Sequence, residues 1–210
     1  MKRQQSLGEE IANSISHGIG FLAAVAITPV LIVYAIPNGA SAIVGASIFG
    51  TTMMLLYLAS TLYHAFPHSK TKQLFQIFDH GAIFLLIAGT YTPFTLSVLP
   101  DAWGWTLFGI VWALAVFGVI LKSVGGPGTS KLSLALYLGM GWLAVLAAKP
   151  LWDSLPGPGI FWIVAGGVMY TAGVLFFVYD HRIRYNHFVW HLFVLAGTAC
   201  HVVAILGYAF

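Results

Sequence analysis

A pair of histidines one helical turn apart is the feature of this sequence that points most directly to chemistry. His187 and His191 stand in the run NHFVWHLFVLAG, at the start of the last long apolar segment. An i, i+4 spacing places two imidazoles on one face of a helix, which lets a single helix donate two nitrogen ligands to one metal ion. The pair therefore predicts part of a metal site.

Two other polar residues are expected at the same depth as this pair, and a third is expected one helical turn deeper. His64 ends the second apolar segment, Asp79 begins the third, and Ser60 lies one helical turn before His64. Three neutral imidazoles and a water form an open tetrahedral zinc site. We therefore expect His64, His187 and His191 to bind zinc. Asp79 is expected beside the metal as an outer-sphere group or as a base, with Ser60 within reach.

Each of these residues also has an explanation that needs no metal. Histidines near the ends of membrane helices often lie at the lipid interface or bond to a neighbouring helix. The carboxylate of Asp79 suits the positive end of a helix dipole, and the hydroxyl of Ser60 can bond to a carbonyl of its own helix. The metal hypothesis depends on the shared depth of the residues on three helices.

The elements that would position these residues are membrane-spanning helices. The chain has 210 residues, of which 59% are apolar and 7% are charged. A bilayer core of about 30 Å requires about 20 mostly apolar residues per helix, and seven stretches meet that requirement. They cover roughly 13–35, 41–66, 76–98, 103–122, 132–149, 159–179 and 186–208. The sequence predicts an all-α membrane protein with seven transmembrane helices.

The positively charged residues predict the orientation of these helices. With seven spans, all but one of the 9 Lys and Arg residues fall on one side, which is the bias expected of cytoplasmic loops. They are Lys2, Arg3, Lys70, Lys72, Lys122, Lys131, Arg182 and Arg184, with Lys149 on the other side. We expect a cytoplasmic N-terminus with a short leader over residues 1–12, and a C-terminus outside.

The connections between spans predict a single domain over residues 1–210. PNG at 37–39, PDA at 100–102 and GGPG at 125–128 are turn sequences and not domain linkers. The net charge of +3 reflects the cytoplasmic loops and forms no clustered basic stripe, so no nucleic-acid partner is expected. The sequence leaves the oligomeric state open.

Taken together, these patterns resemble a known family. SxxxH at Ser60–His64, an aspartate at Asp79 and HxxxH at His187–His191 in a seven-helix chain are similar to the progestin and adipoQ receptor family. The chain resembles the bacterial hemolysin III branch of that family more closely, over nearly its whole length. The segments that carry this closer resemblance are EEIANSISHGIG, LYLASTLYHAFPH, DHGAIFLLIAGTYTPF and YNHFVWHLFVLAG.

The resemblance implies a location, a metal and a chemistry. It implies the inner membrane of a bacterium, and zinc held near the cytoplasmic face by His64, His187 and His191. It also implies a water held by Asp79 and Ser60. The wider superfamily includes alkaline ceramidases, so hydrolysis of a lipid amide is implied as an activity.

Three classes of function are compatible with these residues. The first is a zinc-dependent hydrolase of a lipid amide or ester, whose lipid substrate or ligand enters from the bilayer. The second is a non-enzymatic lipid-sensing or membrane-homeostasis protein with a structural zinc, although structural sites usually have four protein ligands. The third is a proton-coupled transporter using His17, His201 and Asp79, with pore formation ranked last.

The remaining polar residues near the site are expected to serve other purposes. His68 follows Pro67, which should end the helix, so His68 is expected in a loop. His80 should point about 100° away from its neighbour around the helix and lie at the interface. Glu9 and Glu10 precede the first predicted span and should serve its dipole.

Overall fold

Helices account for almost all of the structure. It is a computed structural model that describes residues 3–67, 69–125 and 130–210. The helices are α1 (Leu7–Ala35), α2 (Ala40–Ala65), α3 (Lys70–Ser97), α4 (Asp101–Gly125), α5 (Ser130–Gly141), α6 (Ala148–Ser154), α7 (Gly157–Val178) and α8 (Asn186–Tyr208). Short 3-10 helices cover Ile36–Asn38 and Leu143–Ala147. His68 and residues 126–128 of the predicted turn lie outside the described residues.

The prediction of seven membrane spans is confirmed. Seven helical segments of the described chain are long and apolar enough to cross a bilayer, and no strand occurs in the part of the chain that the structure describes. The side of the membrane on which each terminus lies stays a prediction, as does the single domain over residues 1–210.

Two helices begin earlier than their apolar stretches predict. α1 begins at Leu7 instead of residue 13, and α3 begins at Lys70 instead of residue 76. Each start has a serine N-cap: Ser6 accepts the backbone N–H of Glu9, and Ser69 accepts that of Lys72. A capping hydroxyl satisfies backbone donors that the helix leaves free. Hydropathy marks the depth of the bilayer, whereas these caps mark where the helices begin.

The fifth span is interrupted, although the sequence predicts one continuous helix over 132–149. α5 ends at Gly141, a 3-10 segment follows, and α6 completes the span to Ser154. The hydroxyl of Tyr91 compensates for the interruption, because it accepts the N–H of Ala144 at 2.9 Å and lies 2.9 Å from the carbonyl oxygen of Met140. A side chain from α3 therefore serves backbone groups that the broken helix leaves unpaired.

The core of the bundle surrounds α2, which packs against α1 and α3. Phe49, Met53 and Tyr57 of α2 are each almost completely buried. The helices approach closely where side chains are small: a Cβ on Gly45 would lie 2.9 Å from the Cα atom of Pro93. This arrangement brings the end of α2 next to the first turns of α1, α3 and α8.

Candidate metal centre

Three buried histidines from two helices converge at one end of the bundle. His64 comes from the last turn of α2, and His187 and His191 come from the first two turns of α8. One ring nitrogen of each lies within 4.8 Å of the others. The ring centroid of His64 lies 5.1 Å from the ring centroid of His187 and 5.1 Å from that of His191. The predicted i, i+4 pair and the predicted third ligand are therefore brought together.

Carboxylates hold two of the three rings from outside the cluster. Nδ1 of His64 lies 2.8 Å from Oε2 of Glu10, and Nδ1 of His187 lies 3.0 Å from Oδ2 of Asp180. Because an ionised carboxylate only accepts hydrogen bonds, each Nδ1 carries the proton and donates it. This tautomer leaves Nε2 with a free lone pair, which is the arrangement that outer carboxylates give to metal-ligating histidines.

The third ring is held by α1. Nδ1 of His191 lies 3.3 Å from the carbonyl oxygen of Asn13 and 3.1 Å from the hydroxyl of Ser16. The ring of His17 stacks on the ring of His191, with centroids 3.6 Å apart and planes 6° apart. His191 therefore has its Nδ1 occupied and its ring plane set by a neighbour.

The donor set fits a metal ion. Nε2 of His64 is enclosed and has no hydrogen-bond partner among the described residues. A buried polar atom without a partner is costly, so this orphaned nitrogen calls for a ligand. Within the described ranges, these three histidines are the only group of residues whose ligand atoms lie this close together. Three imidazole nitrogens are the number of protein ligands that an open zinc site has.

Asp79 and Ser60 lie beside the cluster and not within it. Both side chains are buried, and the hydroxyl of Ser60 interacts electrostatically with the carboxylate of Asp79, as does the ring of His187. The oxygen of Ser60 is enclosed and forms no hydrogen bond of good geometry with any described residue. Asp79 therefore adjoins Ser60 and His187 at the edge of the cluster.

An apolar cavity opens from the cluster into the bundle. Its volume is about 290 Å³, and Asp79, His187 and His191 line it at the end where the histidines converge. Its walls extend to Leu99 and Trp152, at the opposite ends of the spans. The cavity is therefore long and mostly apolar, with His187 and His191 at one end.

Sequence reasoning missed most of the residues that hold the three rings. Glu10, Asn13 and His17 lie at i, i+3 and i+7 on one face of α1, so their spacing alone could have indicated a polar face toward the site. Glu10 was expected to serve the helix dipole, and it bonds His64 instead. Asp180 lies in the connection between α7 and α8, where no periodic pattern indicates its direction.

Besides His17, two further histidines outside the cluster lie on the cavity wall. His80 was expected at the lipid interface, yet it lines the cavity, with Nε2 4.0 Å from Oδ2 of Asp79. His201 also lines the cavity and stacks on Tyr170, with ring centroids 5.5 Å apart. Its Nδ1 has no partner among the residues described, so the structure shows no hydrogen-bonded relay through this atom.

Comparison with known proteins gives consistent matches over nearly the whole chain. The family described as "Haemolysin-III related" matches residues 5–202. "Hemolysin-3" of Bacillus cereus is 46% identical over 205 residues, which cover 97% of this chain and 93% of that protein. "Hemolysin-3 homolog" of Bacillus subtilis (strain 168) is 45% identical over 204 residues, with 97% and 95% covered. The human "Monocyte to macrophage differentiation factor" is 27% identical over 211 residues, with 96% and 85% covered.

Proposed function

This chain belongs to the haemolysin-III-related family, and we propose that it is a zinc-dependent hydrolase of a lipid amide or ester. It is a multi-pass protein of a bacterial membrane, and the inner membrane is consistent with its Bacillus relatives. The match to the human factor fits the resemblance to the wider progestin and adipoQ receptor family. These relationships identify the family, whereas the proposed activity depends on the residues of the histidine site.

The observation that carries the proposal is the convergence of three histidine nitrogens within 4.8 Å at the polar end of an apolar cavity. Catalytic zinc sites have three protein ligands and one position for water or substrate, whereas structural sites usually have four protein ligands. The three nitrogens of His64, His187 and His191 fit a catalytic zinc site, which has three protein ligands. Zinc, when bound, supplies a Lewis acid that acidifies water and polarises a carbonyl group.

Asp79 is proposed as the base. Its carboxylate adjoins His187 and lines the cavity, so it lies where a water and a substrate carbonyl would meet. A carboxylate oxygen of Asp79 accepts a proton as the water attacks the carbonyl carbon. The same proton then passes to the amine or alcohol as the scissile bond breaks, and the products are a fatty acid and that amine or alcohol.

Ser60 is proposed to position Asp79. Its hydroxyl is completely buried and lies beside the carboxylate without a hydrogen bond of good geometry to any described residue. A hydroxyl in that position can donate to the carboxylate or to the attacking water. The substrate would be a lipid from the bilayer, because the cavity walls are almost entirely apolar.

A non-enzymatic role is the alternative, and one observation favours it. The three ligands come from α2 and α8, and α1 and the α7–α8 connection hold them through Asn13, Glu10 and Asp180. A metal bound there would join four parts of the bundle. In that case zinc would stabilise a lipid-sensing or membrane-homeostasis protein, and lipid occupancy of the cavity would carry the signal.

An Asp79→Asn variant separates these two functions. The purified protein, reconstituted in lipid nanodiscs, would be given a fluorogenic N-acyl amide and the matching acyl ester. We expect the zinc-loaded wild type to hydrolyse at least one of them, and Asp79→Asn to lose about 10²-fold or more in rate while it retains zinc. The control is Asp153→Asn, at an exposed position paired with Lys149. Zinc-loaded wild type that cleaves neither probe would favour the non-enzymatic role.

A further inference from the structure

We infer that Arg3 and Glu9 are positioning residues for His187, and that they act through Asp180 and the first turn of α8. Arg3 lies in the leader, outside every membrane span, and Glu9 lies in the first turn of α1. The inference rests on the proposed metal site but not on its hydrolytic activity. It assigns to the leader a role in metal coordination.

Glu9 joins the starts of two helices that are far apart in sequence. Its Oε2 accepts the backbone N–H of Ser6 at 2.9 Å, which completes the capping box at the start of α1. Its Oε1 accepts the backbone N–H of Tyr185 at 2.9 Å, and Tyr185 is the N-cap of α8. Glu9 is 2% exposed, so this carboxylate is a buried link between α1 and α8.

The link occurs at a strained point of the chain. Tyr185 has φ of 61°, a left-handed conformation that non-glycine residues adopt only when surrounding contacts hold them. No side chain caps α8 from its own N-cap position. The bond to Glu9 therefore supplies the contact that holds this turn, and His187 follows two residues later.

Arg3 completes the link from the leader side. Its guanidinium pairs with both oxygens of Glu9, at 2.7 and 2.6 Å, and this pairing raises the pKa of Arg3 above its usual value. The same group donates to the carbonyl oxygens of Asp180 and Ile183, at 3.2 and 3.4 Å. Arg3 thus holds both the buried carboxylate and the connection that carries Asp180.

These contacts converge on one ligand. The side chain of Asp180 holds Nδ1 of His187, and the backbone of Asp180 is held by Arg3. Tyr185, held by Glu9, sets the start of the helix that carries His187. His187 is therefore oriented from two directions by one ion pair. His64 has a separate support in Glu10, so loss of Arg3 should disturb one ligand and leave the other.

The test is a double-mutant cycle read by metal binding. Full-length protein in detergent would be prepared as wild type, Arg3→Gln, Asp180→Asn and the double variant, and zinc affinity measured by competition with a chelator. Outer-sphere partners of metal-ligating histidines typically contribute about 10- to 100-fold in affinity. We expect Arg3→Gln to weaken zinc binding about 10-fold. The double variant should lose less affinity than the sum of the two single losses, because Arg3 acts partly through Asp180 and partly through Glu9.

Two further measurements exclude a general effect on folding. The visible absorption of Co²⁺ in place of zinc reports ligand geometry, and Arg3→Gln should change it while Arg3→Lys, which keeps the charge, should change it less. Arg184→Gln, at an exposed position of the same connection, should leave both readouts unchanged. The inference would be overturned if Arg3→Gln kept the zinc affinity and the Co²⁺ spectrum of the wild type. It would also be overturned if the losses of zinc affinity in the double variant were additive. If zinc affinity changes as expected in these variants but the protein hydrolyses no lipid, only the proposed hydrolase function is refuted and the inference stands.

Discussion

At the residue scale, the three histidines are defined as much by their outer partners as by their convergence. Glu10 holds His64 and is itself held by Lys72, whose Nζ lies 3.0 Å from Oε1 of Glu10 and 2.9 Å from the carbonyl oxygen of Tyr63. A fixed outer carboxylate keeps the imidazole in the tautomer that leaves Nε2 free. The lone pair of His64 is therefore presented before any metal arrives.

This arrangement predicts a loss of metal affinity in Glu10→Gln. The amide can no longer act as an ionised acceptor for Nδ1–H of His64, so the preferred tautomer and ring orientation are weakened. We expect zinc affinity to fall about 10- to 100-fold, with membrane insertion unchanged. Chelator competition measures the affinity, and Asp153→Asn is the matched control because Asp153 is exposed. Unchanged zinc affinity in Glu10→Gln would refute the role given to Glu10.

The candidate ligands could be predicted from the sequence because two simple cues agree. Helical spacing pairs His187 with His191, and the position of His64 at the end of its apolar stretch places it at the same depth. The structure brings these three together and sets Asp79 and Ser60 beside them. Asp180 could not be predicted, because its contact with His187 depends on the path of an irregular connection.

At the element scale, the interrupted fifth span shows that an apolar pattern does not reveal where a helix is broken. Residues 132–149 are apolar enough to predict one helix, and Pro150 lies in the first turn of α6, after the break that follows Gly141. Pro29 and Pro93, in contrast, lie within the continuous helices α1 and α3. The break is compensated by the hydroxyl of Tyr91 on a different helix, a contact that no local sequence pattern encodes.

Removal of that hydroxyl should destabilise the bundle without altering the metal centre. Tyr91→Phe leaves the N–H of Ala144 without its acceptor, and an interhelical hydrogen bond in a membrane protein is worth about 1 kcal/mol. We expect the free energy of unfolding in mixed micelles to fall by about that amount, with zinc content unchanged. Tyr34→Phe, at a side chain that is 60% exposed, is the control. Equal stability of the two variants would contradict the role of Tyr91.

At the scale of the whole molecule, seven spans and a bias of positive charge predict one orientation. An odd number of crossings places the two termini on opposite sides, and the Lys and Arg residues predict the N-terminal side as the cytoplasm. In that orientation the three histidines lie near the cytoplasmic face, because α1 and α8 begin there and α2 ends there. The hydropathy of the chain therefore predicts the level of the site as well as the fold class.

Reporter fusions test this orientation. Alkaline phosphatase is active only outside the cytoplasm. We therefore expect activity when it is fused after Phe210, and none when it is fused after Ala65, at the end of the second span. A fluorescent protein that folds only in the cytoplasm should give the opposite pattern at the same two positions. Phosphatase activity at Ala65 together with inactivity at Phe210 would reverse the predicted topology and move the histidines to the outer face.

The metal content of the purified protein shows directly whether His64, His187 and His191 bind zinc. Elemental mass spectrometry would compare wild type, purified without chelators, with His64→Ala, His187→Ala and His191→Ala, and with Asp79→Ala. His181→Ala is the matched control, because His181 is exposed in the α7–α8 connection. We expect about one zinc per chain in wild type, His181→Ala and Asp79→Ala, and loss of zinc in the three other histidine variants. Folded wild type without zinc, or zinc retained in those three variants, would contradict this expectation.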